Sequence, residues 1–139
     1  MIMFLLSACI NETIRFRRVE VTGTLSSEDT SSTMYASAHH AWYDTDLLAH
    51  PAELFDQNQF EPGDFSWTID IPITDTLAEG LLIYVWQDTD GDEVFCGLNG
   101  DEEYSDMVYI ADDTIFSIDV QLTPQYACAA PETLYSEIE

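Results

Sequence analysis

The chain has 139 residues, of which 46% are hydrophobic and 12% aromatic, and its 27 acidic side chains against three arginines give a formal net charge of −24. The length suits one domain, and this apolar content argues against disorder along the whole chain. A charge of this size and sign repels phosphate backbones and attracts cations, so we expect no nucleic-acid partner.

The N-terminus is the first feature along the chain. A short apolar run leads into the motif LSAC at residues 6–9, which resembles the lipobox of bacterial lipoproteins. The resemblance implies that residues 1–8 are a signal-peptide-like segment that is removed, that Cys9 is lipidated, and that residues 9–14 tether the protein to a bacterial outer membrane or cell surface. The motif departs from a signal peptide because no basic residue precedes it and the apolar run is short. The alternative is a buried N-terminal strand with Cys9 as a core thiol.

Residues 15–128 form the predicted domain, in which hydrophobic residues recur mainly at every second position, as in β-strands. The segment RRVEVTGTL, residues 17–25, places its valines on one face and predicts a strand with a bulge at Gly23. The segment TMYASAHHAWYD, residues 33–44, predicts a long strand.

Residues 44–60 are the least strand-like part of the domain. Pro51 suits the first turn of a short helix, which we predict at residues 52–56. The segment FSWTIDIPI, residues 65–73, alternates strictly and is the clearest strand. Because Pro72 cannot donate a ladder hydrogen bond, this strand should lie at a sheet edge or end there.

Three further strands are predicted in the C-terminal half. LLIYVWQD, residues 81–88, is apolar on both faces, as expected of a central strand. DMVYIAD, residues 106–112, predicts a short strand, and TIFSIDVQL, residues 114–122, predicts a strand with alternating apolar and polar residues. Six or seven strands separated by turns predict an all-β fold, a single antiparallel β-sandwich of about seven strands with at most one short helix. We expect residues 129–139 to be a loosely ordered acidic tail.

The acidic segment QDTDGDEVFCGLNGDEE, residues 87–103, contains the candidate site. Carboxylates at alternate positions in a tight loop can converge on one cation, and Ca²⁺ takes about six to eight oxygen ligands. The glycine stands fourth from the first aspartate, which is not the EF-hand spacing. We predict a structural calcium site with ligands from Asp88, Asp90, Asp92, Asp101, Glu102 and Glu103. The alternative is an open, solvated acidic hairpin without a site.

The chain has three cysteines. If Cys9 is lipidated, Cys96 and Cys128 remain as a pair, and a disulfide between them suits an oxidising compartment outside the cytoplasm. Two unrelated buried thiols are the alternative.

The order of the predicted strands resembles the transthyretin-like, or prealbumin-like, β-sandwich modules of exported bacterial proteins. The resemblance covers roughly residues 15–123. It rests on a strand ending in Pro-Ile, an apolar strand running into Asp-x-Asp-x-Asp and an aromatic residue, and a closing IDVQL-type strand. Such modules are usually binding or structural units, so the resemblance implies a protein that is not an enzyme.

These features predict a non-catalytic extracytoplasmic surface lipoprotein, stabilised by calcium and a disulfide, that binds a protein or polysaccharide or builds envelope structure. Its contact surface would draw on aromatic residues, among them Trp42, Tyr43, Trp86 and Tyr104. An open sandwich also has unpaired edges, so an alternative is a subunit of an extracellular filament joined by strand addition.

A metal-dependent hydrolase is the alternative from a different class. It would use the region of His39, His40, His50 and Asp44. Adjacent residues of a strand point to opposite faces, so His39 and His40 could not both bind one metal without a bulge. The sequence has neither a nucleophile elbow nor a phosphate-cradling glycine loop.

Overall fold

A computed structural model of the chain describes residues 15–43, 49–72, 79–97, 102–110 and 116–135. The described elements, in chain order, are β1 (Phe16–Leu25), β2 (Met34–Tyr43), β3 (Ala49–Phe60), β4 (Gly63–Pro72), β5 (Glu79–Gln87), β6 (Tyr104–Ile110), β7 (Ser117–Leu122), β8 (Tyr126–Ala127) and α1 (Pro131–Tyr135). A three-stranded and a five-stranded sheet pack together, which confirms the predicted all-β sandwich. Within the described ranges, no helix has the length and apolar character needed to cross a membrane.

The three-stranded sheet has the order β4–β1–β7. β1 pairs with β4 along its full length, from Phe16 opposite Pro72 to Leu25 opposite Gly63. As predicted, β4 lies at the edge and ends at its proline, which has no N–H to donate. The described strand pairs are antiparallel, as predicted, with the exception of β1 and β7, which are parallel.

The five-stranded sheet has the order β3–β2–β5–β6–β8. β5 lies at its centre and is buried on both faces, as its apolar sequence predicts. On the inner face, Leu81 and Ile83 belong to the main core between the sheets. On the outer face, Leu82 and Tyr84 pack with Leu134 from α1.

The main core is made of alternate residues from both sheets. Val19 and Val21 of β1 meet Trp67 and Ile69 of β4 in this cluster, while intervening residues such as Glu20 are exposed. Full burial of an aliphatic side chain stabilises a fold by about 1.5–3 kcal/mol. A register slip by one residue would turn these side chains to solvent, so the alternation fixes the strand pairing.

The helix predicted at residues 52–56 is wrong, because these residues belong to β3. β3 is the edge strand beside β2, and Phe55 packs against the main core. An edge strand tolerates Pro51 because one of its sides is unpaired, and the register with β2 shifts twice along this segment. Pairing with β2 and burial of an aromatic ring therefore outweigh the local helix-start signal.

The bulge predicted at Gly23 is also wrong. The register of β1 runs unbroken through Gly23 with both β4 and β7. A glycine is needed there for a different reason, since a Cβ atom would lie 1.7 Å from the carbonyl oxygen of Val120 on β7. The absence of a side chain lets the two backbones approach.

The sequence predicts a loosely ordered tail from residue 129, but its described part, residues 129–135, packs on the outer face of the five-stranded sheet. α1 buries Leu134. The carbonyl oxygen of Ala129 accepts hydrogen bonds from Tyr84 Oη at 2.9 Å and from Ser105 Oγ at 2.7 Å. Leu134 packs on the apolar outer face of β5. The acidic composition of the tail gives no sign of this packing.

Candidate metal centre

The acidic loop, residues 88–103 between β5 and β6, is described at residues 88–97 and 102–103. It begins where β5 ends. The Asp88 N–H donates to the carbonyl oxygen of Thr33 at 3.0 Å, and the Gln87 side-chain amide donates to the carbonyl oxygen of Asp29 at 2.7 Å. These bonds hold the start of the acidic loop against the loop that precedes β2.

Three predicted ligands come together in the acidic loop. Asp88, Asp90 and Asp92 each offer a carboxylate oxygen, and these oxygens all lie within 4.8 Å of one another. Asp88 is only 6% exposed, whereas Asp90 and Asp92 are exposed. Such a group, buried at one end and open at the other, can receive a cation from solvent.

Backbone N–H groups of the loop hold the three carboxylates in place. Asp88 accepts from the N–H of Gly91 at 2.7 Å and of Glu93 at 3.2 Å. Asp90 accepts from the Asp92 N–H at 3.0 Å, and Asp92 accepts from the Val94 N–H at 2.8 Å. Aspartates commonly bond the backbone two residues onward in turns. Each bond uses part of an oxygen's capacity, so lone pairs remain for a metal.

Electrostatics makes this arrangement costly without a counterion. Two like charges about 4 Å apart repel by about 1 kcal/mol in bulk water and by several times more near a protein surface. The sequence has no Lys or Arg after Arg18 to compensate. A divalent ion would turn the repulsion into attraction. Three carboxylates are fewer than the about six oxygens that Ca²⁺ takes, so water or backbone carbonyls would complete the shell.

Glu103, a predicted ligand, lies beneath the loop and is 1% exposed. Its two carboxylate oxygens accept the N–H of Thr89 at 3.0 Å and the N–H of Cys96 at 2.7 Å. Burial raises the pKa of this carboxyl group, the two backbone bonds lower it, and the nearby Asp88 and Asp90 raise it further. This geometry makes Glu103 a brace that ties the two ends of the described loop together.

The predicted disulfide between Cys96 and Cys128 is present, with the two Cα atoms 5.5 Å apart. The Cys128 N–H also donates to the carbonyl oxygen of Glu103 at 2.8 Å. The disulfide therefore joins the acidic loop to the segment that leads into α1.

The remaining predicted site residues are Glu102, Asp101 and Cys9. Glu102 is exposed and accepts a long hydrogen bond, 3.4 Å, from Tyr104 Oη. Asp101 and the lipidation candidate Cys9 lie outside the described residues.

Of the histidine region predicted for the alternative hydrolase, the structure describes the side chains of His39 and His40. The ring of His40 is buried and stacks on Phe55 at 5.3 Å between centroids. His39 Nε2 lies 2.8 Å from Ser37 Oγ and is half-buried. The two histidines thus occupy opposite faces of β2, as strand geometry requires. Asp44 and the side chain of His50 lie outside what the structure describes.

An aromatic cluster lies beside the acidic loop, and the sequence predicts only one of its members. Trp86 stacks on Tyr35 with ring centroids 4.5 Å apart and also contacts Phe95 of the acidic loop at 5.4 Å. The sequence indicates Trp86 as a contact residue but not Tyr35, because only the pairing of β2 with β5 places the two side by side. Tyr104 is 40% exposed, whereas the side chains of Trp42 and Tyr43 are not described.

The described residues thus form an all-β sandwich with a disulfide at the base of a loop that groups three carboxylates. Comparison of the chain with models of known protein families, with curated proteins and with solved structures found no significant match.

Proposed function

We propose that the chain is a non-catalytic, extracytoplasmic β-sandwich of a bacterial surface lipoprotein, which binds a partner or builds envelope structure. In this proposal Ca²⁺ in the acidic loop stabilises the fold together with the disulfide. The observation that carries the proposal is the convergence of Asp88, Asp90 and Asp92, whose carboxylate oxygens lie within 4.8 Å of one another. Hard carboxylate oxygens suit Ca²⁺, whereas Mg²⁺ keeps its waters and rarely takes a cage made of protein groups alone.

The location outside the cytoplasm is supported by two features. Disulfides persist mainly in oxidising compartments, and the Cys96–Cys128 bond links segments 32 residues apart. The lipobox-like motif at residues 6–9 supplies a membrane anchor through Cys9.

The cation is tested by thermal melting of the protein in EDTA, followed by Ca²⁺ titration to millimolar levels with Mg²⁺ as the control ion. A ligand at about a hundredfold excess over its Kd adds about 2.7 kcal/mol to the free energy of unfolding. We expect a saturable rise in Tm with Ca²⁺ that Mg²⁺ does not match. The rise should be lost in Asp90→Asn and kept in Asp119→Asn, which changes an exposed aspartate of β7.

Two outcomes of this titration would refute the calcium site. A small rise shared by both ions would indicate screening alone. A rise that survives Asp90→Asn would place the cation elsewhere.

The anchor is tested by expressing the full chain in a bacterium and separating membrane from soluble fractions. We expect the wild type in the membrane fraction with an acyl-shifted mass, and Cys9→Ser in the soluble fraction. A wild-type protein without an acyl group would refute lipidation and leave the calcium test unaffected.

Assembly by strand addition is a second candidate, favoured by the edge of β7. Among the described strands, β7 pairs only with β1, and on that side the carbonyl oxygens of Phe116 and Leu122 accept hydrogen bonds from the N–H groups of Glu20 and Ser26. Along a strand, the backbone N–H and C=O groups of every second residue point to the same side. Because Phe116 and Leu122 point toward β1, the N–H of Asp119 points to the open edge. Concentration-dependent filaments that disappear in Asp119→Pro would favour this candidate, because proline removes that donor. A protein that stays monomeric by light scattering at all concentrations would exclude it.

A further inference from the structure

The outer face of the five-stranded sheet carries a groove of about 540 Å³ beside the acidic loop. Its lining includes Tyr35, Ser37, Gln57, Gln59, Trp86 and Glu93. We call it the amide–aromatic groove. It lies apart from the three grouped aspartates, none of which lines it.

Strand register explains how the groove is built. Tyr35 on β2 lies opposite Gln59 on β3 and opposite Trp86 on β5. Residues directly opposite in a sheet share a face, so a glutamine, a tyrosine and a tryptophan form one row across three strands. Two residues further along, Ser37 lies opposite Gln57, which adds a second glutamine on the same face.

The aromatic pair presents one ring face to the groove. The rings of Tyr35 and Trp86 are stacked, 4.5 Å apart and within 8° of parallel. Because β2 lies between β5 and β3, Trp86 covers the face of Tyr35 on the β5 side and leaves the face toward the glutamines. Phe95 supports Trp86 from the acidic loop. Packing against two neighbouring rings therefore holds Trp86 in this wall.

The glutamines supply polar recognition. Gln57 and Gln59 are exposed, and neither side chain makes a hydrogen bond within the part of the chain that the structure describes. An amide offers two donors and one acceptor oxygen without charge. A row of neutral amides beside an aromatic face matches a ligand with an apolar C–H surface and several hydroxyl groups.

Charge narrows the ligand class. Glu93 lines the groove, and burial together with Glu93, Asp88 and Glu103 raises the pKa of Tyr35. The local potential is therefore negative. Phosphorylated, sulfated or uronic-acid ligands would be repelled, whereas neutral sugars carry no such penalty.

We propose that the amide–aromatic groove binds a neutral saccharide chain, with a sugar ring on the free face of Tyr35 and its hydroxyls bonded to Gln57 and Gln59. This inference rests on the non-catalytic binding function proposed above and names its ligand class. It does not depend on the lipid anchor.

The test uses the full-length protein in buffer with millimolar Ca²⁺ and follows its intrinsic tryptophan fluorescence, because Trp86 stacks on the proposed sugar platform Tyr35. Cellohexaose, xylohexaose, mannohexaose and maltohexaose are titrated into the millimolar range, with hexagalacturonate as the anionic control. We expect at least one neutral hexasaccharide to bind saturably and the anionic one not to bind. Isothermal titration confirms the affinity independently of the tryptophans.

Variants locate the site. Tyr35→Ala and the double variant Gln57→Ala/Gln59→Ala should each weaken binding about tenfold or more. Their matched controls, Tyr126→Ala on β8 and Gln121→Ala on β7, change exposed residues of the same types and should bind as the wild type does. The glutamine variant alters only exposed side chains, so its Tm should match the wild type even if Tyr35→Ala disturbs the stack.

The remaining outcomes separate this inference from the proposed function. If no neutral hexasaccharide binds, or if binding survives both groove variants, the inference is overturned while calcium-dependent melting still supports the proposed module. If a tetra-arginine peptide binds instead and the glutamine variant weakens it, the groove takes basic peptides and the saccharide assignment is overturned. Cleavage of a bound hexasaccharide would refute the non-catalytic proposal but support the groove.

Discussion

At the scale of single residues, Glu103 has the largest predicted effect on the acidic loop. Its buried carboxylate accepts one backbone N–H through each oxygen, from Thr89 and from Cys96. Glu103→Gln keeps the shape of the side chain but replaces one acceptor with a donor. We expect this change to lower the free energy of unfolding by about 1–3 kcal/mol, because the buried side chain of residue 103 then faces one backbone N–H with a donor instead of an acceptor. Urea denaturation measures it.

The neighbouring Glu102→Gln is the control for this prediction, since Glu102 is exposed. The loss in Glu103→Gln should appear both in EDTA and in Ca²⁺, with the calcium-induced gain retained. If the calcium gain disappears, Glu103 is a ligand rather than a brace.

Asp29 gives the chain a specific acid dependence. Its carboxylate accepts hydrogen bonds from the Ser32 hydroxyl, from the Ser31 hydroxyl at 2.7 Å and from the Ser31 N–H at 2.9 Å. The Ser32 hydroxyl, followed by Ser31, lowers the pKa of Asp29 from 3.8 to about 2. Because the pKa in the folded state is the lower one, this stabilisation is present above pH 3.8 and is lost as the pH falls toward 2.

The difference in unfolding free energy between the wild type and Asp29→Asn should therefore be constant from neutral pH to about pH 4 and shrink below it. Urea denaturation across this range measures it, with Asp119→Asn to correct for loss of one negative charge. A difference that stays constant down to pH 2 would contradict the assignment.

At the scale of elements, the parallel pairing of β1 with β7 depends on Gly23. A Cβ atom at this position would lie 1.7 Å from the carbonyl oxygen of Val120, far inside van der Waals contact. Gly23→Ala should therefore separate the two strands and cost more than about 3 kcal/mol. Gly63→Ala is the matched control, because Gly63 also has a positive φ, 134°, but nothing lies within 4 Å of its added Cβ.

Comparing Gly63→Ala with Gly23→Ala separates the cost of the steric clash with β7 from the cost of a positive φ in alanine. Strain alone costs about 1–3 kcal/mol, so Gly63→Ala should be the milder change in urea denaturation. Equal losses in the two variants would mean that β7 moves away from β1 at little cost.

At the scale of the whole molecule, charge self-repulsion is the dominant surface property. The net charge is −24, and the described ion pair between Arg18 and Asp70, at 2.8 Å, offsets little of it. Raising NaCl from about 0.1 M to about 1 M shortens the screening length from about 10 Å to about 3 Å. In EDTA we therefore expect Tm to rise with NaCl.

The calcium-loaded protein should gain less from salt, because the bound cation already offsets repulsion in the acidic loop. Calorimetry with and without Ca²⁺ measures both slopes, and choline chloride separates screening from an effect specific to Na⁺. A Tm that is insensitive to salt in EDTA would show that the acidic surface does not destabilise the fold.

The fold class follows from the sequence because alternation is a local property. The strict alternation of β4 predicts a strand, which Pro72 places at a sheet edge or at its own end, and the two-faced apolar run of β5 predicts a central strand. The structure has β4 at an edge and β5 at the centre of its sheet. The helix predicted at residues 52–56 is wrong because its signal is also local. A proline followed by helix-compatible residues is a local signal, whereas pairing of β3 with β2 is a long-range interaction.

The acidic loop and the disulfide pair are also predicted from the sequence. The loop depends on carboxylates two residues apart, and the pairing depends on setting Cys9 aside as the lipidated cysteine. Only the tertiary structure decided which carboxylates meet in space. It groups Asp88, Asp90 and Asp92, and it places Glu103 below them, bonded to the backbone. Of the amide–aromatic groove the sequence indicates only Trp86, because Gln59, Tyr35 and Trp86 become neighbours only when β3, β2 and β5 pair in register.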